Sequence, residues 1–115
     1  MKKVTVCIPV YNAESTLRRT LETLVAQDYP IHKIKVFDNQ SSDGSVEIVR
    51  EFSAIYPYIE LHINEKNLGG EGNFTKCIQA SEGDFTALLH SDDLYEKNFI
   101  SESVKAIEHG NENVA

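Results

Sequence analysis

Val4-Thr5-Val6-Cys7-Ile8-Pro9-Val10-Tyr11-Asn12 is the stretch whose reading decides the fold. Val4 to Ile8 is a short apolar run ended by Pro9. It reads as a central strand, because strands of a parallel sheet are buried on both faces. Downstream, Glu14 to Asp28 places Leu17, Leu21, Leu24 and Val25 on one helical face. Asn12 is expected to cap that helix, since its side chain can accept orphan amide hydrogens. Tyr29-Pro30 is expected to end it.

The same alternation continues outward. Ile34 to Phe37 reads as a second strand, followed by a helix capped by Ser42 or Asp43. That helix turns Val46, Val49, Phe52 and Ile55 inward, and Tyr56-Pro57 terminates it. Ile59 to Ile63 alternates, which puts this third strand nearer the sheet edge. Asn64 to Gly72 reads as a Gly/Asn-rich loop. Asn73 to Ser81 is a short helix with Phe74, Cys77 and Ile78 apolar, ended by Gly83. Phe85 to Leu89 is a fourth strand, and Lys97 to His109 a last helix with the stripe Ile100, Val104, Ile107. Repeated strand–helix pairs predict an α/β class, a parallel sheet with helices on both faces. No linker, low-complexity segment or repeat interrupts the pattern.

Composition narrows the function classes. The chain has 115 residues, 41% hydrophobic and 25% charged, enough for one globular unit with a modest core. Its 18 acidic and 11 basic residues give a formal net charge of -7, and no Lys/Arg stripe exists for a nucleic-acid backbone, so nucleic acid is excluded as a partner. A nucleotide is not excluded, because a divalent cation can bridge carboxylates and a diphosphate. Cys7 lies in a strand pattern and Cys77 in a helix pattern, which favours free buried thiols and a reducing compartment. No apolar segment approaches a signal peptide or a membrane span. Two lysines followed by a strand read as a cytosolic N-terminus. Asn111 to Ala115 carries no stop logic and reads as an unnatural end, so the chain is expected to be half or less of a larger domain.

Three polar junctions follow apolar strands: Pro9-Val10-Tyr11-Asn12, Asp38-Asn39-Gln40-Ser41-Ser42-Asp43-Gly44, and His90-Ser91-Asp92-Asp93. Ligands of open parallel sheets bind outside the carboxyl ends of the strands, so the three are expected to share a crevice. G-x-G-x-x-G, the Gly-Lys-Ser/Thr phosphate loop and G-x-S-x-G are all missing.

Adjacent carboxylates repel unless one turns away or a cation sits between them. Asp92 and Asp93 therefore point to Mn²⁺ or Mg²⁺, hard ions that take such oxygens together with substrate phosphates. The alternative is that Ser91 or Asp92 caps a helical turn. His90 is either a metal or phosphate contact or a strand-end histidine bonded to backbone. Asp38 is placed to meet a base or ribose, against an Asx-turn as the alternative. Asp43 suits a turn and a cap. Tyr11 offers a flat face and a hydroxyl. Glu14 suits a first helical turn, where its charge complements the dipole. The glycines in Asn67-Leu68-Gly69-Gly70-Glu71-Gly72-Asn73 permit close backbone approach, and Asn73 could cap the following helix and contact a ligand.

Taken together, Val6-Cys7-Ile8-Pro9-Val10-Tyr11-Asn12, Asp38 to Ser45, Asn67-Leu68-Gly69, and Gly83-Asp84-Phe85 running into Leu88 to Asp93 resemble a family 2 glycosyltransferase. The resemblance covers almost the whole chain. It implies a GT-A (Rossmann-like) fold, a mostly parallel sheet flanked by helices, truncated before the acceptor-binding half. Residues 1–115 would be its N-terminal portion, which binds a nucleoside-diphosphate sugar, often a uridine one. By position, Pro9, Tyr11 and Glu14 would line the base and ribose pocket, and Asp38 would bond the base edge. Asn67, Gly69 and Asn73 would fall in the loop closing near the donor. Asn12, His90 and Ser91 would complete the nucleotide-binding set, and Asp92 and Asp93 would hold Mn²⁺ or Mg²⁺.

The family usually inverts the anomeric centre, with an aspartate of the C-terminal half deprotonating the acceptor hydroxyl. No such base is expected before residue 115, so these residues alone would bind donor without turnover. The family commonly has an aspartate where His90 stands, or three acids beginning where Ser91 stands, which leaves ligand count and metal preference open. The implied acceptor is a carbohydrate or glycolipid, and the implied setting is cytoplasmic, peripheral to the inner face of a membrane. A truncated sheet edge would invite pairing with another copy. A nucleotidyltransferase would want a Gly-rich basic loop after the first strand. A signalling receiver would want acids there and an aspartate after the third strand, where Asn64 stands. A non-catalytic sugar-nucleotide-binding module is the third alternative.

Overall fold

The computed structural model describes residues 1–109, and the expectation for Asn111 to Ala115 lies outside them. The elements are β1 (Val4–Val10), α1 (Glu14–Val25), β2 (Lys33–Asp38), α2 (Ser45–Ile55), β3 (Ile59–Ile63), α3 (Gly69–Gln79), β4 (Phe85–Leu88) and α4 (Phe99–Glu108). All four strands are parallel, in the order β3-β2-β1-β4. The apolar run of β1 thus lies between two neighbours, and alternating β3 lies at an edge. Val10 pairs with Asp38, Asp38 with Ile63, and Cys7 with Leu88. Parallel strands bring the junctions after β1, β2 and β4 to one edge of the sheet.

The pleat sends alternate side chains to opposite faces. Val4, Val6, Ile8, Val10, Ile34, Val36 and Ile59 pack with residues of α1, α2 and α4, among them Leu17, Leu21, Val49, Phe52, Ile100 and Val104. On the other face, Cys7 and Phe37 meet Cys77 of α3 in a much smaller cluster. Beyond α3 that face is polar, with Lys33 Nζ 3.1 Å from Glu60 Oε2 and 3.2 Å from Glu82 Oε1. Both cysteines are free and buried, as expected, and burial with Cys7 nearby pushes the Cys77 thiol up to about 12, well away from a reactive thiolate.

Several boundaries differ from the sequence reading. α1 ends at Val25, short of Asp28, because the Asp28 amide donates to Lys97 O (2.9 Å) in the approach to α4. α4 correspondingly begins at Phe99, not Lys97. In α2, Ile48 is buried and Ile55 exposed, while Tyr56 follows its last turn as expected. α3 begins at Gly69, so the glycine-rich stretch is its first turn and Asn73 lies inside the helix instead of capping it. Its buried positions are Asn73 and Cys77, whereas Phe74 and Ile78 face outward. No helix among the described residues is long and apolar enough to cross a membrane.

Candidate functional site

The junctions after β1 and β2 hold each other. Asn12 N donates to Ser41 Oγ (2.8 Å), Ala13 N to Ser45 Oγ (2.9 Å) and Glu14 N to Asp43 Oδ2 (3.1 Å). In return Ser42 N donates to Asn12 Oδ1 (2.8 Å) and Gly44 N to Glu14 Oε2 (2.9 Å). Each helix therefore has its orphan amides satisfied from the other strand's loop. Asn12 does not cap its own helix: the N-cap is Ala13, without a side-chain cap bond. Asp43 does bond its own helix, since Oδ1 accepts from Ser45 N and Ser45 Oγ. The Ser45 hydroxyl bond, together with backbone amides, outweighs desolvation and holds the Asp43 carboxyl below the usual range. A Cβ at Gly44 would meet Glu14 Oε2 at 2.6 Å, so a larger residue there would displace the Glu14 carboxylate from the Gly44 amide. Asn12 (φ 48°) and Gln40 (φ 67°) occupy the left-handed region, a local strain that the interlock holds in place.

A second network joins β2, β3 and α3 through asparagines. Asn39 Oδ1 accepts from Asn64 Nδ2 (3.1 Å) and Leu68 N (2.8 Å). Asn39 Nδ2 donates to Asn67 Oδ1 and Gly69 O. Asn73 accepts from Asn64 Nδ2 (2.9 Å) and donates to Phe37 O (2.9 Å). Gly69, at φ 75°, opens α3 with its amide on Asn67 Oδ1 (2.8 Å). Nothing in a local reading of the glycines pointed to this network; the spaced asparagines carried the signal.

Between the two networks lies a cavity of about 420 Å³ lined by Pro9, Val10, Tyr11, Asn39, Asn67, Gly70, Asn73 and Phe74. Four residues singled out from sequence, Pro9, Tyr11, Asn67 and Asn73, thus come together. No charged side chain lines the cavity, and its two aromatics, Tyr11 and Phe74, are each about half exposed. Phe74 was missed as a lining residue because it reads as part of an apolar packing stripe. Asp38 precedes the lining residue Asn39 and does not itself line the cavity. Its carboxylate is buried; Oδ2 accepts from Ser41 N (3.0 Å) and Oδ1 has no partner among the described residues. The Asx-turn and the orphan acceptor are therefore both present.

The third junction stands on the other side of β1 and does not line this cavity. His90, Asp92 and Asp93 are exposed and Ser91 half-buried. The backbone of this loop hangs on α1: Thr16 Oγ1 donates to Ser91 O (3.0 Å) and Thr20 Oγ1 to Asp93 O (2.7 Å). Among the described residues no cluster of three or more His, Cys, Asp or Glu is placed to hold a metal ion. Two adjacent hard-oxygen donors without a third suit a cation that completes its shell with phosphate and water oxygens.

Residues 5–115 match the family model described as Glycosyl transferase family 2. The chain is 33% identical over 105 residues to the glycosyltransferase GlyA of Streptococcus pneumoniae, covering 91% of this chain and 15% of that protein. It is 33% identical over 106 residues to the glycosyltransferase AglE of Haloferax volcanii, covering 90% and 35%. Among solved structures, S. aureus TarS 1–349 in complex with UDP superposes with a TM-score of 0.81 at 27% identity, over 95% of this chain and 33% of that one. The mannosyltransferase PcManGT of Pyrobaculum calidifontis, solved with GDP-Man and Mn²⁺, superposes with a TM-score of 0.82 at 24% identity, over 90% and 32%. The chain thus spans about a third or less of these proteins.

Proposed function

The chain belongs to glycosyl transferase family 2, with the GT-A-like α/β fold, and on that premise we propose that it is the donor-binding part of a sugar transferase. The reaction moves a sugar from a nucleoside diphosphate, uridine by preference, to an acceptor hydroxyl with inversion. The observation that carries this reading is the uncharged cavity at the strand ends, lined by asparagines and two half-exposed aromatics. A planar base fits between Tyr11, Phe74 and Pro9. Asp38, bonded to Ser41 N just before the lining residue Asn39, would act by setting that turn. Asn12, Glu14, Asn39 and Asn73 shape this end through the bonds they make within the protein. Gly69 and Asn67 set the loop from which α3 starts. Asp92 and Asp93, with His90 and Ser91 alongside, would hold Mn²⁺ or Mg²⁺ against the diphosphate. Bound there, the cation would neutralise charge that develops as the diphosphate leaves.

No residue of this stretch is assigned as the base that takes the acceptor proton, and these residues alone bind donor without turnover. Residues 1–115 are read as the N-terminal portion of a longer enzyme acting on a carbohydrate or glycolipid, in the cytoplasm at the inner face of a membrane. β4 is the end strand of the sheet, and self-association through it is part of this reading.

Calorimetric titration with UDP and GDP, with and without Mn²⁺, tests the assignment. UDP is expected to bind tighter than GDP. Asp38→Asn should weaken it with or without metal, and Asp92→Asn should remove only the gain that Mn²⁺ brings. Equal, metal-independent binding of both nucleotides by the unaltered chain would overturn it.

A further inference from the structure

Thr16, Thr20, Thr23 and Gln27 follow one another on α1 and its immediate continuation at spacings of four, three and four, a single helical stripe. None of them carries an apolar side chain, yet Thr20 is completely buried. Each bonds to the backbone of residues 91–100. Thr16 donates to Ser91 O (3.0 Å) and Thr20 to Asp93 O (2.7 Å), with Ser91 O also 3.1 Å from the Thr20 hydroxyl. Thr23 Oγ1 accepts from Tyr95 N (3.2 Å). Gln27 donates to Glu96 O (2.6 Å) and accepts from Ile100 N (3.0 Å). Residues 91–98 belong to no helix or strand, so this stripe supplies hydrogen bonds that a regular element would otherwise make. Asp92 lies between two carbonyls that are both tied to α1.

We infer that Thr20, assisted by Thr16, is a positioning residue that sets the Asp92–Asp93 backbone for cation binding. This rests on the reading of Asp92 and Asp93 as the metal-binding pair. The same helix is locked at its N-terminus to the junction beside Asp38. α1 therefore fixes both ends of the donor site in one frame, and the hydroxyl stripe governs only the acidic end. Ligands held in place before the cation arrives bind it more tightly than ligands that must first be ordered.

The test compares the unaltered chain with Thr20→Val, Thr20→Ser and Asp92→Asn. UDP affinity is measured by calorimetry with and without Mn²⁺, and bound Mn²⁺ is read directly from loss of the free-ion electron paramagnetic resonance signal in the presence of UDP. Thr20→Val is expected to reduce the Mn²⁺-dependent gain in UDP affinity about tenfold and to leave metal-free UDP affinity unchanged, as a 10–100-fold effect is typical of lost outer-shell support. Thr20→Ser, which keeps the hydroxyl, should restore it. If Thr20→Val keeps the full gain while Asp92→Asn loses it, the positioning role is overturned and the metal site stands. If Asp92→Asn also keeps the gain, or the unaltered chain shows none, the metal reading fails and the inference with it. If Thr20→Val weakens metal-free binding equally, its role is general packing and the inference is overturned. Should that variant not fold, Thr20→Cys, close in size and a far weaker donor, takes its place, and an undiminished gain there overturns the proposal in the same way.

Discussion

The junctions after β1 and β2 and the junction after β4 leave the same edge of one sheet but are built on opposite principles. The first two are tied to each other, side chain to backbone in both directions, and the asparagine network closes them against α3. Their polar side chains are largely occupied within the protein. The third is held by its backbone, from α1 and the Tyr95 hydroxyl, and its carboxylates stay exposed. Apart from Asp38 Oδ1, one region is saturated by its own bonds; the other presents exposed charge. Stability and binding should therefore separate between them.

The largest expected effect breaks the closed region. Asn73→Leu conserves volume but removes two buried hydrogen bonds, one to Phe37 O and one from Asn64 Nδ2, which keeps only Asn39 Oδ1. At about 1 kcal/mol net for each buried hydrogen bond lost, denaturant unfolding should show a loss of about 2 kcal/mol. A loss below about 1 kcal/mol would mean that water satisfies these groups and that the network is not what closes the region.

A smaller effect comes from acid. Asp43 is held below the ordinary carboxylate range chiefly by the Ser45 hydroxyl. A group whose folded value is depressed contributes stability that is full above its unfolded value near 4 and is lost as pH falls through the folded value. Thermal melts between about pH 5 and pH 2 should thus fall less steeply for Asp43→Asn than for the unaltered chain. Parallel curves would remove Asp43 from the interlock.

The smallest effect sharpens the contrast. Asp92→Asn should change unfolding free energy by no more than about 0.5 kcal/mol in the absence of metal, as surface substitutions outside such networks usually do. A larger destabilisation would show that the acidic loop is a structural element like the other two.

Much of this architecture is legible in the sequence, and the exceptions have physical causes. Hydrophobic periodicity located all eight elements, and the alternation of Ile59–Ile63 put β3 at an edge. The start of α3 was not legible, because three glycines disfavour a helix intrinsically and the bonds that Asn39 and Asn67 make to Gly69 come from outside the helix. The cap expected of Asn12 failed for a related reason. Capping is read from adjacent residues, whereas the partners here lie 29–32 residues apart. At the site, residue types marked Pro9, Tyr11, Asn67 and Asn73 correctly as neighbours of one cavity. Phe74 and the threonine stripe were invisible, since an aromatic and a row of hydroxyls at helical spacing look the same whether they pack, line or clamp.

The position of β1 also sets a kinetic condition. Its partner on one side, β4, ends at Leu88, while β1 itself ends at Val10. At roughly 5–20 residues per second, roughly 4–16 s of synthesis separate the two. Throughout that interval the most apolar segment of the nascent polypeptide has one flank without a ladder, and collapse must wait for a contact of long sequence separation. The chain is thus most prone to aggregate on the ribosome before Phe85 emerges.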